Sequence, residues 1–200
     1  MKNIVVLISG QGTNLQYIID CVENNILKNC HISVVISNRK NAYGLERAKK
    51  HGIPTLYVPF IKQEMERTDY DVVLAERVTT YKPDVVVLAG WMRILTESFI
   101  QRFDTIINLH PALPYCFSGM NAIERAYDAS REFYKKQIGD VYYTGCMCHR
   151  VVEEVDTGQP LSVKNVRIDK DDTLEELRKK MAVAEKVVLL EGIISSLNIV

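Results

Sequence analysis

An amide and an imidazole stand two residues apart in the segment Ile106-Ile107-Asn108-Leu109-His110-Pro111. Strand alternation puts Asn108 and His110 on the same side of the chain. Pro111 stops the ladder by removing a backbone donor. The two polar side chains are left at the carboxyl end of an apolar strand, where open α/β sheets keep their ligands. An amide donor beside a titratable imidazole suits acyl transfer, in which a developing oxyanion and a moving proton both need partners. The plainer alternative is a strand end carrying two solvated polar residues.

Three further segments hold residue types that do chemistry. Ser9-Gly10-Gln11-Gly12-Thr13-Asn14 joins an apolar strand to a helix start, a setting that cradles phosphate on backbone amides and the helix dipole. The dinucleotide fingerprint fails because position 15 is leucine, and no Gly-Lys-Ser/Thr follows for a P-loop. Strand two ends in Ser37-Asn38-Arg39, with no carboxylate for a ribose diol. A single phosphate monoester therefore fits better than a dinucleotide or ATP; a tight turn with glycines for packing is the alternative. In Leu88-Ala89-Gly90-Trp91-Met92-Arg93-Ile94-Leu95, Gly90 permits an unusual turn and the apolar residues after it suit the wall of a flat aromatic ligand, or ordinary core. In Glu153-Glu154-Val155-Asp156-Thr157-Gly158 the aspartate is turn chemistry unless the fold brings it to His110. There it would raise the imidazole pKa and stabilise the cation.

The elements that must position these residues alternate. Strand-like runs at Ile4–Ile8, Ile32–Ser37, Pro54–Val58, Asp84–Ala89 and Ile106–His110 are separated by helical spacing. The helical stretches are Leu15–Leu27, Tyr43–His51 (with Gly52 at a C-cap position), Gln63–Tyr81 and a short helix through Phe103. Asn121–Ser130 reads as helical, and Arg131–Asp140 as a surface loop or a helix extension. Val141–Val152 and Pro160–Ile168 read as an antiparallel pair around Asp156-Thr157-Gly158. A last helix starts at a capping box, Thr173 with Glu176, and runs to Leu197. The expected fold is α/β: a doubly wound, mostly parallel twisted sheet with an antiparallel C-terminal hairpin and a long C-terminal helix. No repeat or low-complexity linker interrupts residues 1–200, which read as one domain.

Composition excludes several classes. Lys+Arg and Asp+Glu balance at 25 each, which gives no electrostatic case for nucleic acid or a membrane surface. No apolar run reaches the ~20 residues that span a bilayer. Met1-Lys2-Asn3 leads straight into a strand without signal-peptide architecture. Five cysteines at irregular spacing suit a reducing compartment, and Cys146 and Cys148 read as buried thiols rather than a zinc clip. A soluble, cytoplasmic protein is expected.

The blocks Ile8–Leu15, Ile36-Ser37-Asn38-Arg39, Ala42-Tyr43-Gly44-Leu45, Leu88–Leu95, Asn108-Leu109-His110-Pro111 and Val155-Asp156-Thr157-Gly158 resemble, in order and spacing, the phosphoribosylglycinamide formyltransferase family. The form Leu-His-Pro-Ala-Leu-Pro looks more like fungal or other eukaryotic members than bacterial ones. The resemblance implies transfer of a formyl group from 10-formyltetrahydrofolate to the amine of 5'-phosphoribosylglycinamide in purine synthesis, without a metal. It implies a catalytic trio of Asn108, His110 and Asp156, and a phosphate site at Gly12, Thr13 and Asn14. The implied folate contacts are Arg67, Met92, Arg93, Ile94 and Leu95, with Val152, Glu153, Glu154 and Val155. The implied glycinamide contact is Glu185. Small-molecule substrates are the implied partners; monomer and homodimer both stay open. The N-terminal half would bind phosphate and the C-terminal part folate.

Departures are local. Pro111-Ala112-Leu113-Pro114-Tyr115 shifts a proline one place relative to many relatives, and Trp91 stands where phenylalanine is frequent. Arg131–Asp140 resembles an insertion, and Thr144-Gly145-Cys146 follows eukaryotic members. A formyltetrahydrofolate hydrolase, another folate-dependent formyltransferase, or a ligand-binding module on a degenerate scaffold are the competing readings. The Gly-x-Gly-Thr-Asn loop favours a small phosphorylated acceptor.

Overall fold

The computed structural model describes residues 1–61 and 64–199. Its elements are β1 (Lys2–Ile8), α1 (Thr13–Glu23), β2 (Cys30–Ser37), α2 (Tyr43–Lys50), β3 (Thr55–Tyr57), α3 (Arg67–Thr79) and β4 (Val85–Leu88). They continue with α4 (Glu97–Ile100), β5 (Ile106–His110), α5 (Ala122–Lys135), β6 (Tyr142–Arg150), β7 (Pro160–Ile168) and α6 (Leu174–Leu197). The strands follow the order β3-β2-β1-β4-β5-β6-β7. This is the doubly wound, mostly parallel α/β class with a C-terminal hairpin and a long last helix. The chain forms two compact units, one comprising residues 1–108 and those from Ile193 onward, the other Leu109–Gly192.

In the first unit, β1 lies between β2 and β4, and all pairs from β3 through β5 are parallel. Ile4 to Ile8 and Val85 to Val87 are buried on both faces, which is why their sequences show continuous apolar runs instead of alternation. Such strands place their carboxyl ends, and the loops after them, along one edge. Helix α1 stops earlier than its apolar spacing suggests. Asn25 enters the left-handed region at φ 56, and the amides of Ile26 and Leu27 turn back onto the Cys21 carbonyl. Leu27 is nevertheless buried, outside the helix. Helix α3 begins at Arg67; Gln63, expected to open it, lies outside the described residues.

In the second unit, β6 and β7 pair antiparallel from Tyr142↔Ile168 to His149↔Pro160. Helix α5 runs through Ser130 to Lys135, so the first half of Arg131–Asp140 extends the helix. The Arg131 guanidinium donates to the carbonyls of Asp169 and Lys170, and the Tyr134 hydroxyl to that of Ile168. Long polar side chains anchor this extension where an aliphatic stripe would normally do so. At the start of α6 the Glu176 amide donates to Thr173 Oγ1 and the Thr173 amide to Glu176 Oε2, closing the expected capping box.

Candidate active site

The glycine loop closes β1 and opens α1. Gly12 is the N-cap of α1, in the left-handed region at φ 69. A Cβ there would also stand 2.6 Å from the Cα of Gly44, whose amide donates to the Gly10 carbonyl. Position 12 is therefore glycine for two reasons, backbone conformation and packing against the start of α2. Gly10 has neither reason: its φ is not positive and a Cβ would meet nothing within 4 Å. The space beside it belongs to an open pocket of about 220 Å³ lined by Ser9 to Asn14, Arg39, Ala89, Gly90 and Met92.

The amides of the first helical turn have no partners within the helix, and none of the first-turn residues of α1 is acidic. Arg39 is the single charged side chain among those lining the pocket. This is the chemistry of an anion site. Arg47 braces the loop from α2, its Nε donating to the Gln11 carbonyl at 2.9 Å. Ser9 ties three segments together: its hydroxyl donates to Asn38 Oδ1 at 2.7 Å and accepts the Met92 amide at 2.9 Å, while its own amide reaches the Gly90 carbonyl. Gly12, Thr13, Asn14 and Met92 are thus gathered in one pocket.

The segment after β4 is held from beneath. Asp71, wholly buried, accepts the Thr96 amide at 2.6 Å. Burial raises its pKa above the ordinary carboxylate value, against the pull of the Thr96 bonds and the Arg93 and Arg67 cations. Arg93 stacks over Phe60 at 3.7 Å and Tyr70 at 4.7 Å, so it faces inward. Met92 and Ile94 are exposed while Leu95 is buried. Arg67 donates to the Ile94 carbonyl at 3.1 Å, which makes it a brace for this segment.

The second unit holds the imidazole. His110 is 4% exposed, and its Nδ1 lies 3.3 Å from Asp156 Oδ2. The other carboxylate oxygen of Asp156 is 3.5 Å from His149 Nε2, and the Gly119 amide donates to Oδ2 at 2.8 Å. Asp156 sits at φ 59, a left-handed conformation that aspartate tolerates better than most residues. The turn around it is held by Thr157 Oγ1 on the Glu154 carbonyl and by Gly158, where any Cβ would collide with the Arg150 carbonyl.

Burial outweighs the carboxylate in setting the charge of His110. It pushes the imidazole pKa below 6.5, although Asp156 and the carbonyls of Phe117 and Cys116 favour the cation. The direction is opposite to that expected from Asp156 alone. For Asp156, burial works against the charge, but hydrogen bonds from His149 and Gly119 hold its pKa below 3.8. At neutral pH the pair is a neutral imidazole beside a carboxylate. Nδ1 faces acceptors and so carries the proton, whereas Nε2 is buried with no hydrogen-bond partner. A basic nitrogen held in this way can take a proton.

Asn108 ends the part of β5 that pairs with β4, opposite Leu88, and is half-buried. Glu185 lies half-buried on α6, where its charge helps push the Cys146 thiol up to about 12. Val152, Glu153 and Glu154 are exposed and Val155 half-buried in the loop between β6 and β7. The sequence reading missed His149, Arg39 and Ser9. The placement of His149 on a strand leading into the Asp156 turn was the available signal. Cys146 and Cys148 are free and buried. Among the described residues no group of three or more His, Cys, Asp or Glu is arranged to hold a metal ion. Nor is any helix long and apolar enough to cross a membrane.

Comparison with known proteins shows what the whole chain is similar to. A sequence profile described as "Formyl transferase" matches residues 2–193. A Schizosaccharomyces pombe protein named phosphoribosylglycinamide formyltransferase is 46% identical over 204 residues, covering 96% of both chains. The Saccharomyces cerevisiae protein of that name is 41% identical, covering 96% of this chain and 95% of its own. Among solved structures, glycinamide ribonucleotide transformylase 1 from Symbiobacterium toebii superposes with a TM-score of 0.86 at 36% identity, covering 96% of this chain and 86% of that one. With this profile match over nearly the whole chain and relatives 41–46% identical to it, the chain belongs to the formyl transferase family.

Proposed function

We propose that the chain transfers the formyl group of 10-formyltetrahydrofolate to the amine of 5'-phosphoribosylglycinamide, a step of purine synthesis. The observation that carries this reading is the contact of His110 with Asp156 and the unpartnered Nε2 that it leaves. The 46% identity to a protein named for this activity, over nearly its whole length, supports the substrate pair. The family profile spans both compact units, which supports reading residues 1–200 as one domain. The cysteine chemistry suits the cytoplasm.

In this reading the backbone of Gly12, Thr13 and Asn14 holds the ribose phosphate, and Glu185 contacts the glycinamide. Met92 to Leu95 in the first unit and Val152 to Val155 in the second are each assigned folate contacts, and Arg67 braces the former segment. His110 Nε2 takes the proton as the amine bonds to the formyl carbon, and later delivers it to the departing folate nitrogen. Asp156 stabilises the imidazolium formed in between. Asn108 donates to the developing oxyanion, a contribution typically worth ~3 kcal/mol. The formyl carbon is already electrophilic, so no metal enters the scheme.

The test is spectroscopic: protein, 10-formyl folate and the ribonucleotide are mixed, and deformylated folate is followed. Signal that needs the ribonucleotide supports transfer. Signal that persists without it means hydrolysis and overturns the proposal.

A further inference from the structure

The loop joining β5 to α5 touches the His110–Asp156 pair and is bent against the preferences of its own residues. Tyr115, Phe117, Gly119 and Asn121 all have positive φ, at 63, 49, 82 and 55, and only one of them is glycine. A conformation of this kind persists only where surrounding bonds determine it. Arg125, in the first turn of α5, supplies two of those bonds. Its Nη2 donates to the Phe117 carbonyl at 2.5 Å and the Ser118 carbonyl at 2.7 Å, and its guanidinium lies 5.8 Å from the Phe117 ring.

The Ser118 carbonyl and the Gly119 amide belong to one peptide unit. Arg125 grips its oxygen, and its N–H donates to Asp156 Oδ2 at 2.8 Å. A cation on the oxygen polarises the peptide and strengthens its N–H as a donor. The Phe117 carbonyl, also held by Arg125, is one of the two that favour the His110 cation.

We infer that Arg125 is a positioning residue, acting through the Ser118–Gly119 peptide to fix the Asp156 carboxylate against His110. The inference rests on the proposed roles of those two residues. Arg125 is itself exposed, so its replacement removes no core packing.

Two variants test it. Arg125→Met keeps the apolar stem without a donor, and Arg125→Lys keeps a cation within reach. Hydrogen exchange at the Gly119 amide, followed by NMR without substrates, reads the loop independently of activity. The inference predicts that R125M exchanges Gly119 faster and loses roughly ten- to a hundredfold in kcat, with both KM values and Tm near wild type. R125K should recover part of each loss. Unchanged Gly119 exchange in R125M, or faster exchange with wild-type kcat, overturns the inference. A wild-type protein that fails to transfer formyl overturns the proposed function instead, while the exchange measurement still decides whether Arg125 holds the loop.

Discussion

His110 Nδ1 lies 3.3 Å from Asp156 Oδ2, yet the imidazole is held below its ordinary pKa because burial outweighs its charged neighbour. The unfolded chain therefore binds this proton more readily than the folded chain does. The stability from this group is full above about pH 6.5 and is lost as pH falls through the lower, folded value. His110→Gln has no proton to take up. Between pH 8 and pH 5 the wild type should lose more Tm than H110Q; equal losses would contradict the burial argument.

Gly10 and Gly12 separate ligand space from packing. Gly12→Ala forces a Cβ to 2.6 Å from the Gly44 Cα at a φ of 69. It should destabilise the fold by about 1–3 kcal/mol, read from urea unfolding. Gly10→Ala meets no protein atom within 4 Å. It should keep the wild-type midpoint while weakening binding of the phosphorylated substrate. A G10A variant with reduced stability and unchanged affinity would reverse the assignment.

Asp71 tests the support beneath Met92 to Leu95. Asp71→Ala leaves the Thr96 amide without its acceptor, which should cost about 1–3 kcal/mol. Asp71→Asn keeps an acceptor and removes a charge that burial disfavours. Its loss should be the smaller of the two in chemical denaturation, and a larger one would show that the carboxylate charge itself is needed.

Thiol labelling reads the cysteines directly. Cys116 is exposed, while Cys21, Cys30, Cys146 and Cys148 are buried. The thiols of Cys146 and Cys148 are pushed up to about 12 by burial, so little thiolate is available for reaction. A disulfide reagent should label one cysteine rapidly in the native protein, and Cys116→Ser should abolish that phase. Fast labelling of Cys146 or Cys148 would contradict the packing around β6.

The parts legible in the sequence were those set by local pattern. The continuous apolar runs of β1 and β4 marked buried parallel strands, and β5, β7 and the end of α6 fell where the residues placed them. Asn108 and His110, two residues apart at a strand end, suggest acyl transfer by themselves, whereas Asp156 joins them only through the family resemblance. What stayed hidden depended on tertiary context. The extension of α5 relies on Arg131 and Tyr134 reaching carbonyls some 34 or more residues away, which no periodicity records. The end of α1 follows from Asn25 turning left-handed where the apolar spacing continues. The charge of His110 could not be read either, because the family resemblance supplies the carboxylate neighbour but not the loss of solvent that outweighs it.

The catalytic reading of His110 is tested most directly by measuring kcat and phosphate-ligand affinity together in His110→Ala. Loss of the group that takes and returns the amine proton should lower kcat by roughly two to four orders of magnitude. Affinity for inorganic phosphate should stay near wild type, since the glycine loop is built without His110. Turnover within a few-fold of wild type would contradict the assignment of the chemistry to this imidazole.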